Sequence, residues 1–152
     1  CGSFLANNFE AKALLDLRVN NVKSSYQIKD FMIDYIPLLD EENSSVVDVL
    51  RFIEDYKLGF VIFKNSLGNF VGIASNADVR RAFLKHPNDF TKITVDDIVN
   101  KSPFVLNENL TIYEMLNLIE QQNFVVNFFP VIDDDSKPVG AVTFFNLIRS
   151  EI

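Results

Sequence analysis

At 152 residues, with 48% hydrophobic and 23% charged residues, the chain suits one domain or a tight pair of half-domains, and its composition is that of a folded rather than a disordered protein. The net charge of −7 excludes a general nucleic-acid or anionic-membrane binder, which needs a basic surface, but leaves room for a nucleotide held by a few local cations. The single cysteine, Cys1, excludes an internal disulfide framework and fits a reducing, cytoplasmic setting, and no run approaches the roughly 18 apolar residues of a membrane span.

In chain order, the first predicted element is a helix over residues 8–17, capped by Asn8, with Phe9, Ala13, Leu14 and Leu17 on one face. Polar residues 20–25 form a connector after it. The chain starts Cys-Gly-Ser with no initiating Met and reads as a fragment, so residues 1–25 are expected to tether a partner region. Val46, Val49, Leu50 and Ile53 then fall at i, i+3, i+4 and i+7, the spacing of a helix face entered through Ser44 or Ser45. Phe60-Val-Ile-Phe63 is an apolar strand, succeeded by a turn over 65–69 and a second strand over 70–74. A helix over 77–85 leads to a polar linker around residues 86–91, where His86 is expected to face solvent. Thr94-Val-Asp-Asp97 has the spacing of a capping box opening a short helix.

The pattern then starts again. Ile112, Met115, Leu116 and Ile119 repeat the helical spacing behind Thr111. Strands over 125–132 and 139–142 flank a turn at Asp133-Asp-Asp-Ser-Lys-Pro138, and a last helix covers 144–151. Extended lead-ins, Ile36-Pro-Leu-Leu39 and Ser102-Pro-Phe-Val-Leu106, precede the two copies. The sharpest match is Gly72-Ile-Ala-Ser-Asn-Ala-Asp-Val-Arg-Arg81 against Gly140-Ala-Val-Thr-Phe-Phe-Asn-Leu-Ile-Arg149. In both, an apolar strand breaks at a hydroxyl residue and opens a helix, whose free N–H groups favour anions. No catalytic constellation accompanies this repeat: His86 is the only histidine and has no evident nucleophilic partner, and no zinc spacing or Gly-rich phosphate loop is present. The Asp133–Asp135 run fits a solvated hairpin loop better than a calcium loop.

The ordered set resembles a tandem pair of cystathionine-β-synthase-type (CBS) domains over about residues 26–152. The features that carry it are Asp30-Phe-Met32 and Asp97-Ile-Val99 ahead of the copies, Pro37 and Pro103 in the lead-ins, Phe129-Pro-Val-Ile132, and the two Gly-x-x-hydroxyl-x-x-(Asp/Asn) motifs. Residues 72–81 also resemble, more weakly, the CBS pair attached to sugar-phosphate isomerases of the arabinose-5-phosphate type. The resemblance implies an α+β fold of two β-α-β-β-α repeats, residues 26–92 and 93–152, packed sheet to sheet with pseudo-twofold symmetry around two clefts. It implies no enzyme activity and no cofactor, but a regulatory ligand such as AMP, ADP, ATP or S-adenosylmethionine. It also implies a homodimer in which that ligand controls an attached or associated enzyme or transporter.

Within this reading, Asp78 would accept hydrogen bonds from both ribose hydroxyls, Ser75 and the N–H groups after it would face a phosphate, and Arg81 would add a cation. Asn76 belongs to the same turn, and Ile36-Pro37-Leu38 would form the backbone wall. Ser75 and Asp78 equally make an ordinary helix start, and both roles are compatible. The second cleft would use Thr143, Asn146 and Arg149, with Pro103, Phe104, Phe129 and Pro130 as walls. There Asn146 lacks the charge of Asp78, and Phe144 and Phe145 add bulk that partly fills the space. Two further readings remain: a structural dimerisation module with filled clefts, and the regulatory tail of a sugar-phosphate isomerase sensing a sugar nucleotide.

Overall fold

The computed structural model describes residues 26–122 and 127–143. The predicted helices over 8–17 and 144–151, with Asn146 and Arg149, lie outside the described residues. The chain divides into two compact units. The first holds Tyr35–Phe104 together with Asp134–Pro138; the described residues of the second are 26–34, 105–122, 127–133 and 139–143.

In the first unit, strand β1 (Leu38–Asp40) leads through helix α1 (Val46–Tyr56) to β2 (Phe60–Lys64), and β3 (Phe70–Ser75) runs directly into helix α2 (Asn76–Lys85). The sheet order is β1-β2-β3, with β1 parallel to β2 (Leu38 opposite Ile62) and β2 antiparallel to β3 (Phe60 opposite Ser75). Central β2 has a continuous apolar run because both its faces are covered: Phe60, Val61, Ile62 and Phe63 are each 0% exposed. Around it a core forms from Leu39, Val49, Ala74, Ala82, Ile93 and Ile98, with Val46, Phe52, Ile53, Val79 and Phe83 packed against it. Leu50, expected on the buried face of α1, is instead exposed. Consecutive helical residues point about 100° apart, so a stripe centred on buried Val49 and flanked by Phe52 and Ile53 leaves Leu50 at its margin.

The second unit repeats the plan: β4 (Leu106–Asn107), the helix Ile112–Glu120, β5 (Phe128–Ile132) and β6 (Pro138–Thr143). Numbered in chain order, that helix is α4, because a short α3 (Val95–Ile98) comes after α2. The sheet order is β4-β5-β6, with β4 parallel to β5 (Leu106 opposite Val131). Ile112, Met115 and Leu116 are buried, as their spacing predicts.

In both sheets the last strand is covered by a segment that leads into the other repeat. Ile73 in β3 exchanges two backbone hydrogen bonds with Asn100, at 3.0 and 2.7 Å. Ala141 in β6 exchanges two with Ile33, at 2.8 and 2.9 Å. The motif glycines sit under these crossings. A Cβ on Gly72 would meet the Asn100 carbonyl oxygen at 2.4 Å, and one on Gly140 would meet Met32 Sδ at 2.6 Å and the Ile33 carbonyl oxygen at 2.7 Å.

Helix starts are built with one device. Ser45 with Asp48, Ser75 with Asp78, Thr94 with Asp97 and Thr111 with Glu114 are reciprocal capping boxes, each satisfying an otherwise unpaired N–H at both ends of the exchange. The Ser45 N–H and then its hydroxyl hold the Asp48 carboxyl below the ordinary value of 3.8, and Thr94 does the same for Asp97.

Both kinds of contact can be tested through stability. Gly72→Ala forces a methyl against a backbone carbonyl that cannot rotate away, so it should cost about 1–3 kcal/mol and lower the melting temperature by several degrees. An unchanged melting temperature would show that the crossing at Asn100 is not tight. As for pH, a folded-state pKa below the unfolded one gives stability that is present above pH 3.8 and lost as pH falls through the lower folded value. Thermal melts of the Asp48→Asn/Asp97→Asn double variant should therefore show lower stability at pH 6 and a shallower decline on acidification; a decline parallel to the unsubstituted chain contradicts this.

Candidate functional site

The end of the first sheet where β3 passes into α2 gathers the residues predicted for the first cleft. Because β2 and β3 are antiparallel, Ser75 at the end of β3 lies opposite Phe60 at the start of β2. The Asn76 N–H donates to the Gly59 carbonyl at 3.1 Å, which fixes the turn between strand and helix. Gly59, at φ 80°, and Lys57, at φ 58°, bring the chain from α1 into β2 through two left-handed residues. The start of β1 comes to the same end, since β1 is parallel to β2 and the Pro37 carbonyl accepts from the Ile62 N–H at 2.8 Å. Pro37 is buried and Leu38 half-buried, so this wall offers mainly backbone.

Asp78 is the chemical centre of this end. Its Oδ2 accepts from the Ser75 N–H at 2.9 Å and from the Ser75 hydroxyl at 2.8 Å, while the Asp78 N–H donates to Ser75 Oγ at 3.2 Å. Its Oδ1 accepts from Arg81 Nη2 at 2.7 Å. A carboxylate offers about four acceptor positions, so three are taken, all remaining capacity is on Oδ1, and Arg81 shares that oxygen. The Asp78 side chain is only 12% exposed and that of Arg81 62%, so the carboxylate is held while the guanidinium is free to swing. The cap alone does not distinguish this place: Ser45 and Asp48 make the same three hydrogen bonds at 2.8, 3.0 and 3.2 Å. What differs is position, because among the described residues only the Ser75 box comes after a sheet strand without an intervening loop.

An aromatic stack that the sequence reading missed lies at the same end. The Phe52 and Tyr56 rings of α1 are 5.4 Å apart, and Tyr35, two residues before Pro37, stacks on Tyr56 at 4.9 Å with 27° between the planes. Partial removal from water, and then a hydrogen bond with Tyr35, push the Tyr56 hydroxyl above its ordinary value. No sequence pattern marks Tyr35; its stacking partner is twenty-one positions away and is brought to it by the parallel β1–β2 pairing.

The residues predicted for a second cleft are divided between the units. Pro103 and Phe104, both half-buried, belong to the first; Thr143, half-buried at the end of β6, and the buried pair Phe129 and Pro130 belong to the second. Phe129 is 1% exposed, the core fate common for this residue type. His86 departs from expectation. It is half-buried rather than fully in solvent, with Nε2 3.6 Å from Asp97 Oδ2, because α2 and α3 pack against each other where the linker was predicted. Asp134 and Asp135 are exposed, and among the described residues no group of three His, Cys, Asp or Glu side chains is placed to hold a metal. No helix among them is long and apolar enough to cross a membrane.

Comparison with known proteins matches this architecture. The CBS domain profile fits residues 28–85 and again residues 95–151. An uncharacterised protein of Methanocaldococcus jannaschii is 24% identical over 156 residues, covering 82% of this chain and 90% of the relative. An arabinose 5-phosphate isomerase of Pseudomonas aeruginosa is 26% identical over 95 residues, 62% of this chain, but the match spans only 28% of that enzyme's length. Among solved structures, the CBS-pair protein CBSX2 of Arabidopsis thaliana in complex with AMP superposes with a TM-score of 0.67 at 23% identity, covering 82% of this chain and 95% of that one. The CBS pair of protein MJ0100 in complex with 5′-methylthioadenosine and S-adenosyl-L-methionine gives 0.67 at 19% identity, covering 82% and 94%. At these identities the structural likeness is one of fold. The two profile matches together span well over half of the sequence, and the chain belongs to the CBS domain family.

Proposed function

We propose that the chain is a regulatory module that binds an adenosine-type ribonucleotide at the Ser75–Asp78 end of its first sheet and passes occupancy to an attached or associated protein. The observation that carries this reading is the divided carboxylate of Asp78, with one oxygen fixed by the cap and the other held only by exposed Arg81. A ribose diol needs two acceptor positions, and Oδ1 supplies both once the guanidinium turns aside. The displaced Arg81 and the N–H groups at the start of α2 then favour an anionic phosphate. Similarity to CBS pairs solved with AMP, methylthioadenosine and S-adenosylmethionine supports the adenosine class. Regulation would act through differential affinity: the ligand favours one arrangement of the module, and the partner responds to that arrangement. The working form is a homodimer. By sequence correspondence with Ser75, Asp78 and Arg81, the second repeat would contribute Thr143, Asn146 and Arg149 to a weaker ligand-binding set.

The match to a sugar-phosphate isomerase favours one further reading, in which the regulated partner is such an enzyme and the ligand a sugar nucleotide. One assay addresses both. Melting temperatures are measured with AMP, ATP, S-adenosylmethionine and a cytidine sugar nucleotide, each in excess. A ligand at about 100 times its Kd should add about 2.7 kcal/mol of stability. Asp78→Ala and Asp48→Ala each remove the carboxylate of a capping box and should each lower the melting temperature without ligand. Only Asp78→Ala should also abolish the ligand-induced shift. If no compound shifts the melt, or if both variants keep the shift, the proposed site is wrong.

A further inference from the structure

We infer that the solvent face of α2 docks an acidic segment of the regulated protein, and that Arg81, shared between that face and Asp78, couples docking to ligand occupancy. The coupling rests on the nucleotide reading above; the docking face does not. Helix α2 buries Ala82 and packs Val79 and Phe83 against the core, which leaves Arg80, Arg81, Leu84 and Lys85 exposed. Spacings of three and four make these side chains neighbours on one helix face. Leu84, 70% exposed, has cations at i−4, i−3 and i+1. An exposed leucine is ordinary by itself. The cations are less so: the chain carries a net charge of −7, yet among the described residues Arg80 and Lys85 have no carboxylate at ion-pair distance. Asp78, Asp89 and Asp97, acids of the same stretch of chain, are instead tied to Ser75, Thr91 and Thr94.

Charge selects the occupant. An acidic segment with one apolar residue meets Leu84 through that residue and the cations through its carboxylates, and the acidic balance of the rest of the chain disfavours other registers. An anionic bilayer fits poorly, because it is broad and faces the net charge of −7 rather than one helix.

Arg81 joins this face to the ligand site. Its Nη2 donates to Asp78 Oδ1 at 2.7 Å, the oxygen that a ribose diol needs, and its side chain is 62% exposed. The guanidinium can therefore serve either Asp78 or a carboxylate docked beside Leu84. A docked acid draws Arg81 outward and clears Oδ1; a ribose on Oδ1 releases Arg81 to the docked acid. Each event strengthens the other, by the same factor. A ligand phosphate competes for the same guanidinium, so adenosine, with the diol and no phosphate, shows the coupling undiluted.

Binding of a fluorescein-labelled peptide of repeated Glu-Glu-Leu-Glu is followed by anisotropy, and binding of adenosine by calorimetry. The peptide should bind, and the Arg80→Ala/Lys85→Ala double variant should weaken it about tenfold while leaving adenosine affinity without peptide unchanged. Saturating peptide should tighten adenosine about fivefold or more. In Arg81→Ala that gain should vanish, and adenosine alone should bind more tightly than to the unsubstituted chain, because its competitor for Oδ1 is gone. If phosphatidylserine vesicles capture the chain and the peptide does not, or if the double variant binds the peptide undiminished, the docking face is refuted. Loss of a homodimer in the double variant, read by sedimentation, would assign the face to a second copy and refute it as well. If the peptide binds but leaves adenosine affinity unchanged, the coupling falls while the nucleotide reading stands. If adenosine does not bind, the coupling falls, and the nucleotide reading falls with it only when AMP also fails.

Discussion

The structure depends on two small backbone crossings. A three-stranded sheet has two edges, and an edge strand leaves a row of N–H and C=O groups without partners. Here the outer strands β3 and β6 are each met by a segment preceding the other repeat, Asn100 against Ile73 and Ile33 against Ala141. The approach is close enough that only glycine fits beneath it, which gives Gly72 and Gly140 a steric reason for opening the repeated motif. One repeat by itself would lack the segment that covers its own last strand. The two sequence repeats are therefore distributed between the compact units, with residues 26–34 joining the sheet of the second repeat and residues 93–100 that of the first.

The same constraint positions the candidate site. With β3 held on one side by β2 and on the other by Asn100, the strand ends at Ser75 with little freedom, and the helix begins at the next residue. The capping box there is the same device used for three other helices, and in those places it has only to satisfy helix-end N–H groups. At Ser75 it also fixes a carboxylate at the end of a sheet where the start of β1 and the turn at Gly59 also lie. A common structural element becomes a candidate recognition element through location alone, which is why a hydroxyl-x-x-acid pattern is weak evidence in a sequence and stronger in a fold.

CBS domain pairs are regulatory modules rather than catalytic ones, and the arrangement at Asp78 suits such a role. Arg81 already occupies part of the acceptor that a ribose would need, so the Asp78 carboxylate is satisfied within its own helix. Binding would exchange one set of charge-assisted hydrogen bonds for another.

The sequence by itself determined the family, the repeat and the order of elements, because these are written in local terms: a period of two for strands, a 3.6-residue period for helices, and hydroxyl-x-x-acid at helix starts. It also grouped Ser75, Asp78 and Arg81, since they lie within the first two turns of one helix start and their spacing is their geometry. Tertiary structure alone decided that Leu50 lies at the margin of the buried stripe, that His86 sits beside Asp97 and that Gly72 is pinned under Asn100. It alone brought Tyr35 onto Tyr56 at the Asp78 end of the sheet. Each of these depends on strand pairing or helix packing between residues distant in the chain, and the free energy of such pairings is shared among many side chains rather than carried by a local pattern.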